Sequence, residues 1–235
     1  MMKTMLQRIK AVPLTVLMLF VSLCAHAQDE PEYKAEIGVG GALVAYQGDF
    51  NGSLTKNMQP MGALVAKYRS NPRSAWALNI GFGKLKGSSE NTATWYPATS
   101  DTTITFNNSL VDVGLRYEYN FWPYGTGREY RGAKPLVPFV AIGLGAGFVK
   151  TDEKNIVATN MPIGLGVKYK MAERVNLTLE WMMHFTLSDE LDGVKDPYGI
   201  KSNGLFKNTD CFSTLQLSIT YDIFAKCKTC NSDLY

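Results

Sequence analysis

The sequence predicts an all-β protein: an eight-stranded antiparallel up-and-down transmembrane β-barrel that follows a cleaved N-terminal signal peptide. Apolar and polar residues alternate with a period of two over long segments, most clearly at 175–187, and this period indicates strands with one apolar face. The 13 residues of that segment exceed the roughly 5–6 of a usual strand and suffice to cross a bilayer, which takes about 9–11. Short and long connections alternate between the segments, as they do in outer-membrane barrels.

Residues 1–27 have the features of a secretory signal peptide. A basic start with Lys3, Arg8 and Lys10 precedes a mostly apolar run at 11–23 and an A-x-A cleavage signal at 25–27. The apolar run is too short for a transmembrane helix. The predicted organisation is a signal peptide at 1–27, an outer-membrane β-barrel at 28–225 and a short periplasmic tail at 226–235.

The charge balance after the signal peptide gives no reason to expect a nucleic-acid partner. Three of the 24 Lys and Arg residues lie in the signal peptide and all 21 Asp and Glu residues follow it, so the remaining chain carries 21 charges of each sign. That chain has no run of 18 consecutive apolar residues. Location in a membrane therefore requires a closed barrel.

Eight strands are predicted, each a segment in which apolar residues recur at every second position. In chain order they are 35–47, 60–69, 75–85, 111–121, 136–150, 159–171, 175–187 and 214–223. The even number and the short turns at one end place both termini on the periplasmic side of an outer membrane.

In strands one to three the positions between the apolar residues hold small or charged residues. Small inward residues such as Gly38 and Gly40 of strand one suit the crowded lumen of a narrow barrel. In strand two, Lys67 and Arg69 face inward between lipid-facing apolar residues. The sequence Ser-Asn-Pro-Arg at 70–73 predicts a tight turn into strand three, because Asn-Pro favours turn initiation.

In strands four to six the inward positions carry charges of both signs and several glycines. Strand four sets Asp112, Arg116 and Glu118 on the lumen face, where opposite charges can pair. Its end is aromatic at 117–122, which is typical of the interfacial girdle of membrane barrels. The Gly-rich run at 143–147 in strand five lacks the helix and the Lys-Ser/Thr of a phosphate loop, so a strand is the better interpretation.

Strand seven follows the two-residue turn Ala172-Glu173, and strand eight follows a long loop at 188–208. A soluble lipocalin-like barrel, with the apolar residues inside, is the alternative fold. The strand lengths and the aromatic strand ends favour the membrane barrel. Eight strands leave an interior just wide enough for side chains, which argues against an open pore.

Charged or titratable residues that share the inward parity form a predicted lumen polar network. Its members are Glu36, Arg69, Asp112, Arg116, Glu118, Lys168, Glu180 and His184.

Six stretches of the chain occur in a familiar order. They are A-E-I-G-V-G-G-A-L-V-A-Y-Q-G-D-F-N at 35–51, K-Y-R-S-N-P-R-S-A-W at 67–76, Y-E-Y-N-F-W-P-Y-G at 117–125, P-F-V-A-I-G-L-G-A-G at 138–147, P-I-G-L-G-V-K-Y at 162–169 and L-E-W-M-M-H-F-T-L-S-D-E-L-D-G-V at 179–194. Together they resemble the PorG family, small outer-membrane barrels of the type IX secretion system of Bacteroidetes-type bacteria. Met182 and His184 depart from that family, which tends to carry a small residue and an Arg there.

The resemblance implies a non-enzymatic structural subunit without a cofactor. Its partners would be outer-membrane lipid and a periplasmic ring, built from a lipoprotein and its partner, that supports protein export. On this view the periplasmic turns make the contacts, although ordinary turn and headgroup roles are the alternative for each residue. The candidates are Asn71, Pro72, Arg73, Tyr124, Arg128, Tyr130 and Arg131.

Two other functions are open to a barrel of this kind. One is a surface barrel whose outer loops bind a ligand or matrix. The other is a lipid-modifying enzyme that uses His184 and Ser188, but such a site faces lipid, whereas His184 shares the inward parity of Glu180. No metal site is predicted: the acidic loop at 189–196 misses the EF-hand spacing, and the single C-K-T-C at 227–230 lacks a second pair of zinc ligands.

Overall fold

The structure, a computed structural model, describes residues 33–47, 57–88, 105–126, 132–151, 155–187 and 210–225. These residues form eight strands: β1 (Tyr33–Gln47), β2 (Gln59–Asn71), β3 (Ser74–Ser88), β4 (Thr105–Asn120), β5 (Leu136–Lys150), β6 (Asn155–Ala172), β7 (Val175–Thr186) and β8 (Cys211–Ala225). Within these ranges no helix is long and apolar enough to cross a membrane. The predicted signal peptide and the C-terminal tail lie outside the described residues.

Each strand pairs antiparallel with its neighbours in the chain, and β8 pairs with β1 to close the barrel. The predicted fold class is therefore confirmed. Short turns join β2 to β3 and β6 to β7, and the segment 121–135 joins β4 to β5. We call this end of the barrel the turn end and the opposite end the loop end.

Most predicted strand limits agree with the structure to within three residues, but β4 and β6 begin six and four residues earlier than predicted, at Thr105 and Asn155. The β6–β7 turn is Glu173-Arg174, one residue later than predicted. The β3–β4 hairpin is longer than predicted: β3 continues to Ser88 and β4 begins at Thr105. In this part of the hairpin, Lys84 to Ser88 of β3 pair in register with Ser109 to Thr105 of β4.

The outer face of the wall is apolar over most of its height. Large apolar side chains are exposed on all eight strands, which is the pattern of a barrel that contacts lipid. Aromatic residues collect on this face near the turn end. They include Tyr68, Trp76, Tyr117, Tyr119, Phe121, Trp122, Tyr169 and Tyr221.

Glycine allows the strands to approach closely at the lumen face. A β-carbon placed on Gly143 would lie 2.2 Å from the carbonyl oxygen of Leu115, and one on Gly164 would lie 2.1 Å from the carbonyl oxygen of Trp181. Both distances are far below a van der Waals contact, so a side chain at either position would push neighbouring strands apart.

Candidate functional site: the filled lumen and the turn-end surface

The turn half of the lumen is filled by buried ion pairs. One group centres on Arg69, whose Nη2 lies 2.9 Å from Glu36 Oε1 and 3.0 Å from Asp222 Oδ1. Lys170 pairs with the second oxygen of Asp222. Each charge thus has an opposite charge beside it, as a buried charge requires.

A second group of ion pairs centres on Glu118. Its carboxylate lies 3.2 Å from Lys67 Nζ and 2.6 Å from Lys168 Nζ. Above it, Arg116 Nη2 pairs with Glu180 Oε1 at 2.9 Å. The two groups join strands that are far apart in the chain, since β1, β2, β4, β6, β7 and β8 all contribute.

Asn176 connects the Arg69 group to the connection between β4 and β5. Its amide nitrogen donates to Asp222 at 2.8 Å and to Glu36 at 3.3 Å. Its amide oxygen accepts a hydrogen bond from the Tyr124 hydroxyl at 2.8 Å. The polar network is therefore closed at its turn end by a tyrosine.

Tyr124 lies inside the mouth of the barrel, with only 4% of its surface exposed. The Arg69 guanidinium carbon is 5.1 Å from the ring centroid, and the Nζ atoms of Lys168 and Lys170 are each 5.9 Å from it, distances at which a cation is attracted to the ring face. The Tyr124 backbone nitrogen donates to Pro72 O at 2.9 Å. Burial raises the pKa of the Tyr124 hydroxyl well above its usual value.

For Tyr124 the expectation of a partner contact has to be corrected. A tyrosine in a connecting segment was expected to face the periplasm. The ring instead folds back into the lumen, because three cations and the Asn176 oxygen offer it better partners than water does.

The middle of the lumen carries a polar layer around Asp112. Asn160 Nδ2 donates to Asp112 Oδ1 at 2.7 Å. His184 Nδ1 lies 3.7 Å from Asp112 Oδ2, and His184 Nε2 lies 3.3 Å from Thr214 Oγ1. The imidazole also stacks on Phe212, with centroids 4.2 Å apart.

The loop half of the lumen is mostly apolar. Buried side chains from seven of the eight strands form one cluster, and Phe106 packs against it. The buried members are Ala42, Val44, Tyr46, Met61, Leu85, Leu110, Val149, Ile156, Ala158 and Phe212. The turn half is thus filled mainly by charges and the loop half mainly by hydrocarbon, although the loop half also buries Asp210, whose carboxylate accepts a hydrogen bond from the Tyr46 hydroxyl.

All eight residues of the predicted lumen network are buried in the lumen. The structure adds to this network Lys67, which was already predicted to face inward, and Lys170, Asn176 and Asp222, which occupy the same alternate positions. Tyr124 could not be found in this way, because it lies outside the strands and parity does not apply to it. His184 is 3% exposed and contacts lumen groups, so it does not face the lipid that a lipid-modifying site would need.

The turn-end surface is the part of the predicted contact region that the structure describes. Arg73 is exposed. The backbone nitrogen of Arg73 donates a hydrogen bond to the Asn71 side-chain oxygen at 2.8 Å. Pro72 is half-buried, and its carbonyl oxygen accepts hydrogen bonds from Tyr124 N of the β4–β5 connection and from Asn120 Nδ2 at the end of β4. The predicted candidates Arg128, Tyr130 and Arg131 lie outside the described residues.

Two further basic residues at the turn end were not predicted as contacts. Lys134 is exposed, and its Nζ lies 4.5 Å above the ring centroid of Trp122. Arg174 is exposed in the β6–β7 turn, and its Nη1 donates to the Tyr221 hydroxyl at 3.4 Å. With Arg73 and Lys34 they make four exposed cations, against the single exposed carboxylate of Glu173, among the described residues of this end.

The described part of the chain contains no group of three or more His, Cys, Asp or Glu side chains placed to hold a metal ion.

The family model of the outer membrane protein beta-barrel domain matches residues 14–221. The chain belongs to this family. It is therefore an outer-membrane β-barrel protein, in agreement with its closed wall and apolar outer face. No curated protein matches the sequence.

Solved structures with a similar fold share little sequence with the chain. Neisserial surface protein A is 14% identical, with 80% of this chain and 97% of that one covered and a TM-score of 0.49. OprG from Pseudomonas aeruginosa is 12% identical, with coverages of 85% and 100% and a TM-score of 0.49. The attachment invasion locus protein Ail of Yersinia pestis is 10% identical, with coverages of 82% and 99% and a TM-score of 0.46.

Proposed function

We propose that this barrel is a non-enzymatic subunit of a type IX-like protein secretion machine, which anchors periplasmic ring components at the outer membrane. The ordered series of stretches similar to the PorG family motivates the proposal. In this role the turn end faces the periplasm and the loop end faces outward. The ring lipoprotein and its partner bind the turn end.

The observation that carries the proposal is the contrast between the filled lumen and the turn-end surface. Charged and apolar side chains occupy the lumen over its whole height, so transport through it is not the function that the structure favours. The turn end is instead a compact surface. Asn120 N donates to Arg73 O at 2.7 Å and Tyr124 N donates to Pro72 O at 2.9 Å, which fixes the two connections against each other.

The charge of the turn end indicates the kind of partner surface. Arg73, Lys134 and Arg174 are exposed and outnumber the nearby Glu173. A partner with an acidic surface complements them, and such complementarity steers association and sets specificity. Trp122, which is 44% exposed beside Lys134, adds an apolar contact of the kind that is enriched in protein interfaces.

The test is copurification from the native bacterium in mild detergent. The wild-type barrel should recover the ring components. The triple variant R73E/K134E/R174E should lose most of them, because reversed charges repel an acidic surface. The matched control R73K/K134R/R174K keeps the charges and should recover the ring as the wild type does.

One result would overturn the proposal, and a second would overturn only a part of it. The first is that the wild-type barrel recovers no ring component and that deletion of its gene leaves secretion unchanged. The other, which would remove only the assignment of the described turn-end residues, is that the charge-reversed variant recovers the ring as fully as the conservative control.

A further inference from the structure

Three lysines lie on the outer face of the wall at the loop end. Lys84 and Lys86 are exposed on β3, and Lys150 is exposed on β5. They share the outward parity of Phe82 and Phe148, which are 49% and 47% exposed on the apolar wall. The lysines therefore point to the same side of the wall as the residues that contact lipid.

The strand register aligns these lysines in rows parallel to the membrane. Lys84 is opposite Ser109, and Ser109 is opposite Lys150. Neighbouring strands are about 4.8 Å apart, so Lys84 and Lys150 start about 10 Å from each other across β4. Lys86 lies opposite Asn107 in the next row.

The outer face of the wall changes from apolar to basic between two adjacent rows of paired residues. The row below Lys84 and Lys150 runs across β3 to β6 and is entirely apolar. It consists of Phe82, Val111, Phe148 and Val157. The row that contains the lysines continues to Asn155 of β6, and the outward residues of both basic rows in the described strands include no carboxylate.

This transition marks the height at which hydrocarbon gives way to lipid headgroups. Lysine side chains at the edge of an apolar wall extend their ammonium groups toward that level. The basic rows are also confined to one side of the barrel. At the loop end of β7 and β8 the described residues at outward positions are uncharged: the half-buried Met183, Phe185 and Cys211 and the buried Ser213.

We propose that Lys84, Lys86 and Lys150 form a lysine ridge that binds anionic phosphate headgroups of lipids in the leaflet at the loop end. The lysines supply the charge, and the hydroxyl of Ser109 and the amide of Asn107 lie between or beside them as hydrogen-bond donors. The apolar row below holds the acyl chains of the same lipid. The site is independent of the secretion role, since it requires only that the barrel spans a membrane.

The test uses the full-length mature protein in nanodiscs that contain phosphatidylglycerol and phosphatidylcholine in equal amounts. Lipid that stays bound after transfer to detergent is identified by mass spectrometry. The wild type should retain phosphatidylglycerol preferentially. The variant K84Q/K86Q/K150Q should lose this preference by about tenfold or more, since each lysine near an anionic surface contributes roughly fivefold.

Two controls make the result specific. The variant K84R/K86R/K150R keeps the charges and should retain the preference, and far-UV circular dichroism shows whether each variant folds. Soluble pyrophosphate is added as a competitor to distinguish lipid headgroups from free phosphate, and it should displace little lipid. The proposal is overturned if the glutamine variant folds and retains the wild-type preference, or if pyrophosphate displaces the lipid at equal phosphate concentration.

Discussion

Side chains fill both halves of the lumen, but mainly with ion pairs in the turn half and mainly with apolar groups in the loop half. In the turn half, Glu118 and Arg69 each bridge two opposite charges in the interior. In the loop half, Leu85 and Leu110 belong to an apolar cluster with no ion pair among its members. The chemistry of the lumen thus changes along the height of the barrel.

The β3–β4 hairpin explains why the chemistry changes. Near the turn end its outward residues are apolar, such as Leu78 and Leu115, while β4 directs the charged Arg116 and Glu118 inward. At the loop end Lys84 and Ser109 face outward while Leu85 and Leu110 face inward. This inversion is expected where a barrel wall leaves hydrocarbon and enters water, because the interior then becomes the only apolar environment available.

The largest expected loss of stability comes from removing the charge of Glu118 in the charged half of the lumen. The substitution Glu118→Gln leaves Lys67 and Lys168 buried beside a neutral group. We expect the free energy of unfolding to fall by about 3–5 kcal/mol, because an uncompensated buried charge is strongly destabilising. Urea unfolding in detergent or lipid, followed by tryptophan fluorescence, measures the change.

A triple substitution shows whether the charges themselves are required. In the variant K67M/E118L/K168M all three charges are replaced by apolar groups. Replacing a complete buried ion group in this way is often neutral or stabilising, so most of the stability lost in the single variant should return. A loss of less than about 1 kcal/mol in Glu118→Gln would show that Lys67 and Lys168 do not depend on the Glu118 charge for their burial.

The second-largest expected loss of stability comes from a cavity in the apolar half of the lumen. Leu85 is fully buried in the cluster of the loop half, and Leu85→Ala should reduce the free energy of unfolding by about 2–5 kcal/mol, since it leaves a cavity. The same substitution at Leu78, on the lipid side of the same strand, removes an equal volume where lipid can fill the gap. Equal losses in the two variants would argue against a close-packed plug in this half.

Parity in the sequence was sufficient to predict the fold and the charged half of the lumen. A period of two places Glu36, Arg116 and Glu180 on the inner face without any knowledge of their partners. Parity does not give the pairing itself, since the contact between Arg69 of β2 and Asp222 of β8 depends on closure of the barrel. The partners of an inward charge therefore had to come from the structure.

The loop half could not be predicted because the pattern that identifies a membrane strand inverts there. Residues 86–88 and 105–110 were assigned to a loop or left unassigned, since their outward positions are polar. The period of two continues through them, but the polar residues now mark the outer face. Around Tyr124 the sequence shows no alternation of apolar and polar residues. Only its contacts with Asn176 and Arg69 show that it belongs to the lumen.

The smallest of the three effects tests the closure of the charged half by Tyr124. The substitution Tyr124→Phe keeps the ring against Arg69 but removes the hydrogen bond to Asn176, which still accepts from Arg69 Nη2 at 3.4 Å. We expect a loss of about 0.5–1.5 kcal/mol at neutral pH. Urea unfolding at pH 8 measures this difference.

The same substitution should change how stability depends on pH. Burial raises the pKa of the Tyr124 hydroxyl, whereas a tyrosine in the unfolded chain releases its proton near a pH of about 10. Above that pH the unfolded state binds fewer protons than the folded state, so the free energy of unfolding falls as pH rises. The Tyr124→Phe variant should lose less stability than the wild type between about pH 8 and pH 11, and parallel curves for the two proteins would place the hydroxyl in water rather than in the mouth of the barrel.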